Sequence, residues 1–300
     1  MSKRVLITGS NGFIGKTLIN HILENTDYDI VALARSESSF DEINNERESI
    51  DLSRIICITN NEFLNSYYEK VDIAVHLAFS RNLTDIKKLS DSLTFTNNIL
   101  NKFKEIKVKK IINVSSQSVY GMIKDFRKEN MSVCPSLPYS MAKYAEELLL
   151  NAVFDSEKVS YCSIRLDNII QSQRLVRTLC NRVINGLNME LEIGQQYFSY
   201  IDIEDAADAI IALIAYNGNL DKVYNIGHNC ERYTLLELAE KINDIARQNG
   251  LLTVKINSKI GTSELYSGMD TSKFMKITKW KPNYNIDEMI YRVLEEERQR

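Results

Sequence analysis

The sequence predicts an α/β protein, a doubly wound parallel sheet with a smaller C-terminal α/β lobe. Three observations lead there. Short Val/Ile-rich segments alternate with helical patterns through the first half of the chain. Those segments are apolar on both faces, as strands must be in a parallel sheet covered on both sides. A glycine-rich turn joins the first of them to the first helix. Strands are expected at 4–8, 29–34, 54–58, 73–77, 111–114 and 161–166. Helices are expected at 13–25, 90–104 and 140–153, the last with Glu146 and Glu147 on its exposed side. Beyond residue 166 the rhythm changes: helix 175–186, a strand-like 198–203, helix 205–216, strand 223–226, helix 234–247, a strand near 253–257 and a helix after Ile286.

Composition sets the outer bounds. With 300 residues and 44% hydrophobic content the chain can bury a full core, which predicts one large domain or two coupled ones. Lys plus Arg number 37 against 40 for Asp plus Glu, so the net charge of −3 argues against a nucleic-acid partner. The one basic run, Lys107-Val108-Lys109-Lys110, leads into an apolar strand and reads as a solvated helix end. Five cysteines, an odd number at wide spacing, have only three histidines beside them; this pattern predicts reduced thiols, no metal centre and a cytoplasmic protein. No apolar run reaches the roughly 18–20 residues of a membrane span. The N-terminus is unlike a signal peptide, and no membrane partner is expected.

The first strand runs into Thr8-Gly9-Ser10-Asn11-Gly12-Phe13-Ile14-Gly15. Glycines three apart at a strand-to-helix turn let the backbone approach a pyrophosphate, and the free N–H groups of the following helix point at the anion. Gly9, Asn11, Gly12, Phe13, Ile14 and Gly15 are therefore candidate cofactor residues. Position strengthens the reading, because the pattern has mechanical meaning only between an apolar strand and an apolar-faced helix. At the end of the second strand an acid would accept from the 2′-OH of NAD, but the sequence there is Ala34-Arg35-Ser36. Arg35 and Ser36 suit a 2′-phosphate instead, so NADP is expected, with NAD the alternative in which Arg35 is merely a solvated surface residue. Residues 1–166 then form a dinucleotide-binding domain, with 198–227 returning to it, and 167–197 with 228–300 form a substrate lobe.

Tyr139-Ser-Met-Ala-Lys143 places a phenol and an ammonium four residues apart, hence on one helix face. A free tyrosine, with its ordinary pKa near 10, is a poor base; a nearby ammonium favours the phenolate and brings proton exchange toward neutral pH. The pair is common by chance, but here it follows Ser115-Ser116-Gln117-Ser118-Val119-Tyr120-Gly121 at the carboxyl end of an apolar strand, where open parallel sheets bind ligands. Ser116 is placed to hydrogen-bond a reacting oxygen as its charge changes. As strand-ending turn residues, these serines have an equally ordinary structural explanation.

Together these elements resemble the extended short-chain dehydrogenase/reductases, the NAD(P)-dependent nucleotide-sugar epimerase/dehydratase family. The resemblance rests on the Gly9/Gly12/Gly15 loop, Val75-His76-Leu77-Ala78, Val114-Ser115-Ser116 with Val119-Tyr120-Gly121, and Pro138-Tyr139 with Lys143 and Glu146. Further along it includes Arg165 with Asn168, Ile203-Glu204-Asp205, Tyr224-Asn225-Ile226-Gly227 and Asp270 with Ser272-Lys273. It implies a Rossmann-type sheet and a catalytic trio: Tyr139 as acid/base, Lys143 on the nicotinamide ribose and Ser116 on the substrate oxygen. It also implies that Leu77 and Ala78 line the nicotinamide side, that Ser118 and Asn168 meet the substrate, and that His76 is a buried strand residue. Several departures stand out. Dehydratases of the family carry an acidic pair where this chain has Gln117-Ser118-Val119, so elimination of water is not expected. Phe198 stands in place of a diphosphate-contacting arginine, Asp167 in place of an aromatic, and Ile169-Ile170-Gln171 in place of Tyr-Gly-Pro. The expected activity is NADPH-dependent reduction of a keto group on a nucleotide-activated sugar, a 4-keto-6-deoxyhexose foremost. The alternatives are an NAD-dependent nucleotide-sugar 4-epimerase and a non-catalytic NAD(P)-binding sensor. By analogy with related enzymes, helices 90–104 and 140–153 would build a homodimer.

Overall fold

A computed structural model describes residues 2–40, 52–67, 69–81 and 84–300. Its strands, in chain order, are β1 (Arg4–Thr8), β2 (Asp29–Ala34), β3 (Ile55–Thr59), β4 (Ile73–His76), β5 (Lys110–Ser116), β6 (Ser160–Leu166), β7 (Asn168–Ile169), β8 (Met189–Phe198), β9 (Tyr200–Ile201), β10 (Val223–Ile226), β11 (Tyr233–Thr234) and β12 (Ile256–Tyr266). The chain divides into two compact units: residues 1–121, 133–165 and 207–224, and residues 122–132, 166–206 and 225–300.

The first unit is organised on a seven-stranded sheet of order β10-β6-β5-β4-β1-β2-β3. From β3 through β2, β1 and β4 to β5 every pairing is parallel. Strand order reverses between β1 and β4, which leaves a crevice at their carboxyl ends; in such sheets ligands bind at this switch point. Register puts Thr8 of β1 beside His76 of β4. One face of the sheet is sealed by Leu6, Val31, Leu33, Ala74 and Ile111 against Phe63, Ile99, Leu100, Phe103, Leu150 and Phe154 from the covering helices.

Caps set where those helices begin. The helix expected from 90 starts at Ile86, because the Asp85 side chain accepts from the Lys88 N–H at 3.1 Å. The helix expected from 140 is Pro138–Phe154: proline suits a first helical position, and the Ser140 hydroxyl bonds back to the N–H and C=O of Leu137. Tyr139 therefore lies inside the first turn. Glu146 and Glu147, expected to be exposed, are buried, at 1% and 3% exposure. Each has a cationic partner inside the fold, which offsets part of the cost that normally keeps a carboxylate in water.

The second unit has a three-stranded sheet of order β11-β8-β12 and a small parallel pair, β7 with β9. Helices Arg174–Ile184, Leu235–Gln248 and Ile286–Arg298 enclose its core, which includes Val176, Leu179, Leu238, Ile242, Ile290 and Val293. The strand expected near 253–257 is instead β12, paired in parallel with β8 from Ile256↔Met189 to Tyr266↔Tyr197. Most of β12 is exposed on both faces, so no alternation of apolar residues marks it in the sequence. Of the segment 198–227, expected to return to the dinucleotide-binding domain, 198–206 clusters with this unit, where β9 pairs β7, while 207–224 lies in the first unit and β10 to Ile226 joins its sheet. Among the described residues no helix is long and apolar enough to cross a membrane, and all five cysteines are free.

Candidate functional site

The glycine turn leaves β1 at the switch point. Ser10 anchors it, its N–H and hydroxyl both donating to Leu33 O of β2 at 3.1 and 2.8 Å. Gly9 has φ +66°, and a Cβ there would stand 3.0 Å from Ala78 Cα and N, so only glycine allows the turn to pass this close to the chain after β4. The helix Phe13–Asn25 follows with Gly12 as its N-cap and no side-chain cap. Gly12, Phe13 and the half-buried Asn11 and Ile14 face the outer side of the turn, whereas Gly15 is buried. An uncapped helix N-terminus at a switch point, cradled by a backbone with no room for side chains, fits a dinucleotide pyrophosphate. Leu77 and Ala78 donate their N–H groups to Thr8 Oγ1 at 3.0 and 3.1 Å, which fixes the chain leaving β4 beside that turn. Arg35 and Ser36, at the end of β2, are exposed; Ser36 Oγ lies 3.1 Å from both Ser38 Oγ and Ser39 Oγ.

Ser116 closes β5 and caps the short 3-10 turn Gln117–Tyr120, accepting from the Ser118 N–H at 3.2 Å with the two hydroxyls 3.0 Å apart. Both serines are half-buried. Gln117 and Val119 point inward, so this turn presents hydroxyls and no carboxylate. Tyr139 and Lys143 are brought to β4 by Phe79. The Tyr139 ring meets Phe79 edge-on at 6.2 Å between centroids, and Lys143 Nζ lies 4.3 Å from the Phe79 centroid. The first unit thus gathers the glycine turn, Leu77, Ala78, Tyr139 and Lys143 around the carboxyl ends of β1 and β4, with Ser116 on the neighbouring β5. Asn168 belongs to the second unit, where its Nδ2 donates to Ser199 O at 3.2 Å.

Two buried ion pairs lie beneath these groups. Glu147 takes both Nε and Nη2 of Arg165 at 3.1 and 2.8 Å and also accepts from Ser115 Oγ at 2.6 Å, while the guanidinium lies 4.6 Å over the Tyr120 ring. Burial works against the Arg165 charge, but the Glu147 carboxylate outweighs it and raises the guanidinium's pKa. Glu146 pairs with Lys143 and stands 3.1 Å from His76 Nε2. Burial pushes the Glu146 carboxyl up, yet the Lys143 ammonium first and the neighbouring His76 ring second hold it below the ordinary carboxylate value. Sequence reasoning missed Phe79 and both glutamates. For Glu146 a signal was present, a carboxylate three residues after Lys143 and therefore on the same helix face. In the second unit, Asp167 is fully buried; it accepts from Ser199 Oγ and from the Asn168 N–H, and burial pushes its carboxyl up to about 6.

Fold and site together define an α/β dinucleotide-binding protein of the Rossmann type. Residues 5–227 match the NAD dependent epimerase/dehydratase family, and the chain belongs to it. Among curated relatives, a dTDP-D-glucose 4,6-dehydratase of Dictyostelium discoideum is 28% identical over 81% of this chain, which spans 62% of that protein's length. Among solved structures, the UDP-glucuronic acid 4-epimerase from Bacillus cereus in complex with NAD aligns over 99% of both chains at 21% identity and TM-score 0.81. The UDP-Glc/GlcNAc 4-epimerase from Campylobacter jejuni aligns over 100% of both at 19% identity and TM-score 0.83. Nucleotide-sugar dehydratases and epimerases are thus the proteins this chain is similar to, and the similar structures are mainly UDP-sugar 4-epimerases.

Proposed function

We propose that the protein is a cytoplasmic, NAD-dependent nucleotide-sugar 4-epimerase, with the first unit holding the cofactor and Asn168 a substrate-binding residue. The observation that carries this reading is the turn after β5: Gln117-Ser118-Val119 offers no acid to expel water, so the family's dehydratase chemistry lacks its proton donor. Bound NAD would supply a reversible hydride acceptor. Tyr139 exchanges the proton of the sugar 4-oxygen in both directions, Ser116 and Ser118 hydrogen-bond that oxygen, and Lys143 holds the cofactor ribose and the phenol in register. The Gly9–Gly15 turn holds the pyrophosphate through backbone N–H groups.

A second reading, NADPH-dependent reduction of a 4-keto sugar nucleotide, is favoured by Arg35 and Ser36. They stand exposed at the end of β2 and can meet a 2′-phosphate.

The two readings separate in one experiment. The purified protein is incubated with UDP-glucose, UDP-N-acetylglucosamine and UDP-glucuronic acid without added reductant, and the products are read by NMR. The 4-epimerase reading expects an equilibrium mixture of 4-epimers, lost by at least about 100-fold in rate in Tyr139→Phe. It also expects NAD affinity unchanged in Arg35→Ala. Stoichiometric NADPH oxidation with a 4-keto sugar nucleotide and no epimer formation would overturn it in favour of the reductase. Met141 and Leu148, seven residues apart and exposed on Pro138–Phe154, support a homodimer through that helix; sedimentation as a 34.5 kDa monomer at micromolar concentration would remove it.

A further inference from the structure

Lys143 and Glu146 are almost wholly removed from water, their side chains 3% and 1% exposed. The ammonium pairs with the Glu146 carboxylate and lies over the face of Phe79. Behind the carboxylate stands His76, and hydrogen-bond accounting fixes its tautomer. Thr8 Oγ1 already accepts from the N–H groups of Leu77 and Ala78, so its own proton goes to His76 Nδ1 at 2.8 Å. The ring then carries its proton on Nε2, which faces Thr96 Oγ1 at 3.0 Å and Glu146 Oε1 at 3.1 Å. The hydrogen bond goes to Thr96, and Glu146 Oε1 accepts none.

A carboxylate with one unfilled oxygen is a poor way to stabilise a core. Well-packed apolar residues in place of such a pair are often neutral or better. Nor is Glu146 needed as a structural anchor, since the adjacent Glu147 fills that role with Arg165 and Ser115. What Glu146 does is confine one ammonium. A lysine has four rotatable side-chain bonds, and a buried one without a counter-ion must move or give up its charge.

We propose that Glu146 is a positioning residue: backed by His76, its carboxylate holds the Lys143 ammonium at one place over the Phe79 ring, where it meets the cofactor ribose and Tyr139. This rests on the function proposed above and adds to it a residue that acts only through Lys143.

The test is a double-mutant cycle. Glu146→Gln is made alone and with Lys143→Met, folding is checked by thermal melting, and NAD affinity by calorimetry is measured beside turnover. Glu146→Gln alone is expected to weaken NAD binding several-fold and lower kcat at least tenfold, with KM for the sugar nucleotide changed less than twofold. In the Lys143→Met background it is expected to change NAD affinity no further, a comparison that stands even where Lys143→Met turns over too slowly to measure. Equal losses in both backgrounds, or wild-type values in Glu146→Gln, overturn the inference. If Glu146→Gln does not fold, Glu146→Asp takes its place; it keeps the charge, shortens the reach and should show a smaller loss that again vanishes without Lys143. A wild type that binds neither NAD nor NADP overturns the functional reading and this inference together. A wild type that binds and is matched by the Gln variant overturns this inference alone.

Discussion

Gly12 and Gly15 belong to one motif, yet the structure separates what a methyl group does at each. At Gly15 a Cβ would stand 2.3 Å from Gly9 O and 2.8 Å from Ser10 O. Restoring ordinary contact requires a shift of about 1 Å between the helix Phe13–Asn25 and the turn. Neither oxygen can yield cheaply. Gly9 O accepts the Gly12 N–H at 2.9 Å, and Ser10 is tied twice to Leu33 O. Overpacking of about 1–3 kcal/mol plus about 1 kcal/mol for the strained turn bond gives a loss of roughly 2–4 kcal/mol. For a chain of this size that lowers the melting temperature by roughly 5–10 °C. At Gly12 a Cβ meets only Gly9 O, at 3.0 Å, from an exposed position with φ −74°. Gly9 O has to give by only a few tenths of an ångström here, so Gly12→Ala should lose no more than about 1 kcal/mol and melt within about 3 °C of wild type. Its methyl group nevertheless stands at the uncapped helix end, so NAD affinity should fall at least tenfold, about 1.4 kcal/mol. Thermal melting and NAD calorimetry on the two variants check this. The reasoning fails if Gly15→Ala melts with wild type, or if Gly12→Ala melts as low as Gly15→Ala.

Removing Glu147 by Glu147→Ala leaves the Arg165 guanidinium buried and unpaired, and urea unfolding should show a loss of about 3–5 kcal/mol; a loss below about 1 kcal/mol would mean that water reaches the pair. Asp167, pushed up to about 6 by burial from an ordinary 3.8, takes up a proton on folding. Stability from this group is then greatest at acid pH and declines as pH rises from about 4 to 6, by up to roughly 3 kcal/mol. Asp167→Asn should remove that slope, gaining on wild type at pH 7.5 relative to pH 4 in denaturant titrations; parallel stability–pH curves would count against a buried, partly protonated carboxyl.

Much of the first unit was legible because local rules and tertiary structure agree there. Val5, Leu6, Ile7 and Ile30 to Leu33 are apolar on both faces and are buried on both, and the glycine spacing marks the turn at the end of β1 where Gly9 and Gly15 leave no room for a side chain. The second unit was less legible. β12 is exposed on both faces and is held in place by its pairing with β8 across more than sixty residues of chain. Arg35 was read from the sequence as selecting NADP, but its exposed place at the end of β2 is the same for a 2′-phosphate partner as for a solvated surface arginine.

The sequence by itself determined the alternation of strands and helices, the phosphate-binding turn and the Tyr139/Lys143 pair, because each rests on spacing along a single element. Only the tertiary structure decided what surrounds that pair. Glu146 and Glu147 look like an exposed charged face in the sequence, and they are buried because β4, β5 and β6 bring His76, Ser115 and Arg165 to meet them. Lys143 is a local partner that the helix spacing shows, but Arg165, Ser115 and His76 come from other elements, and no local pattern records where they will be.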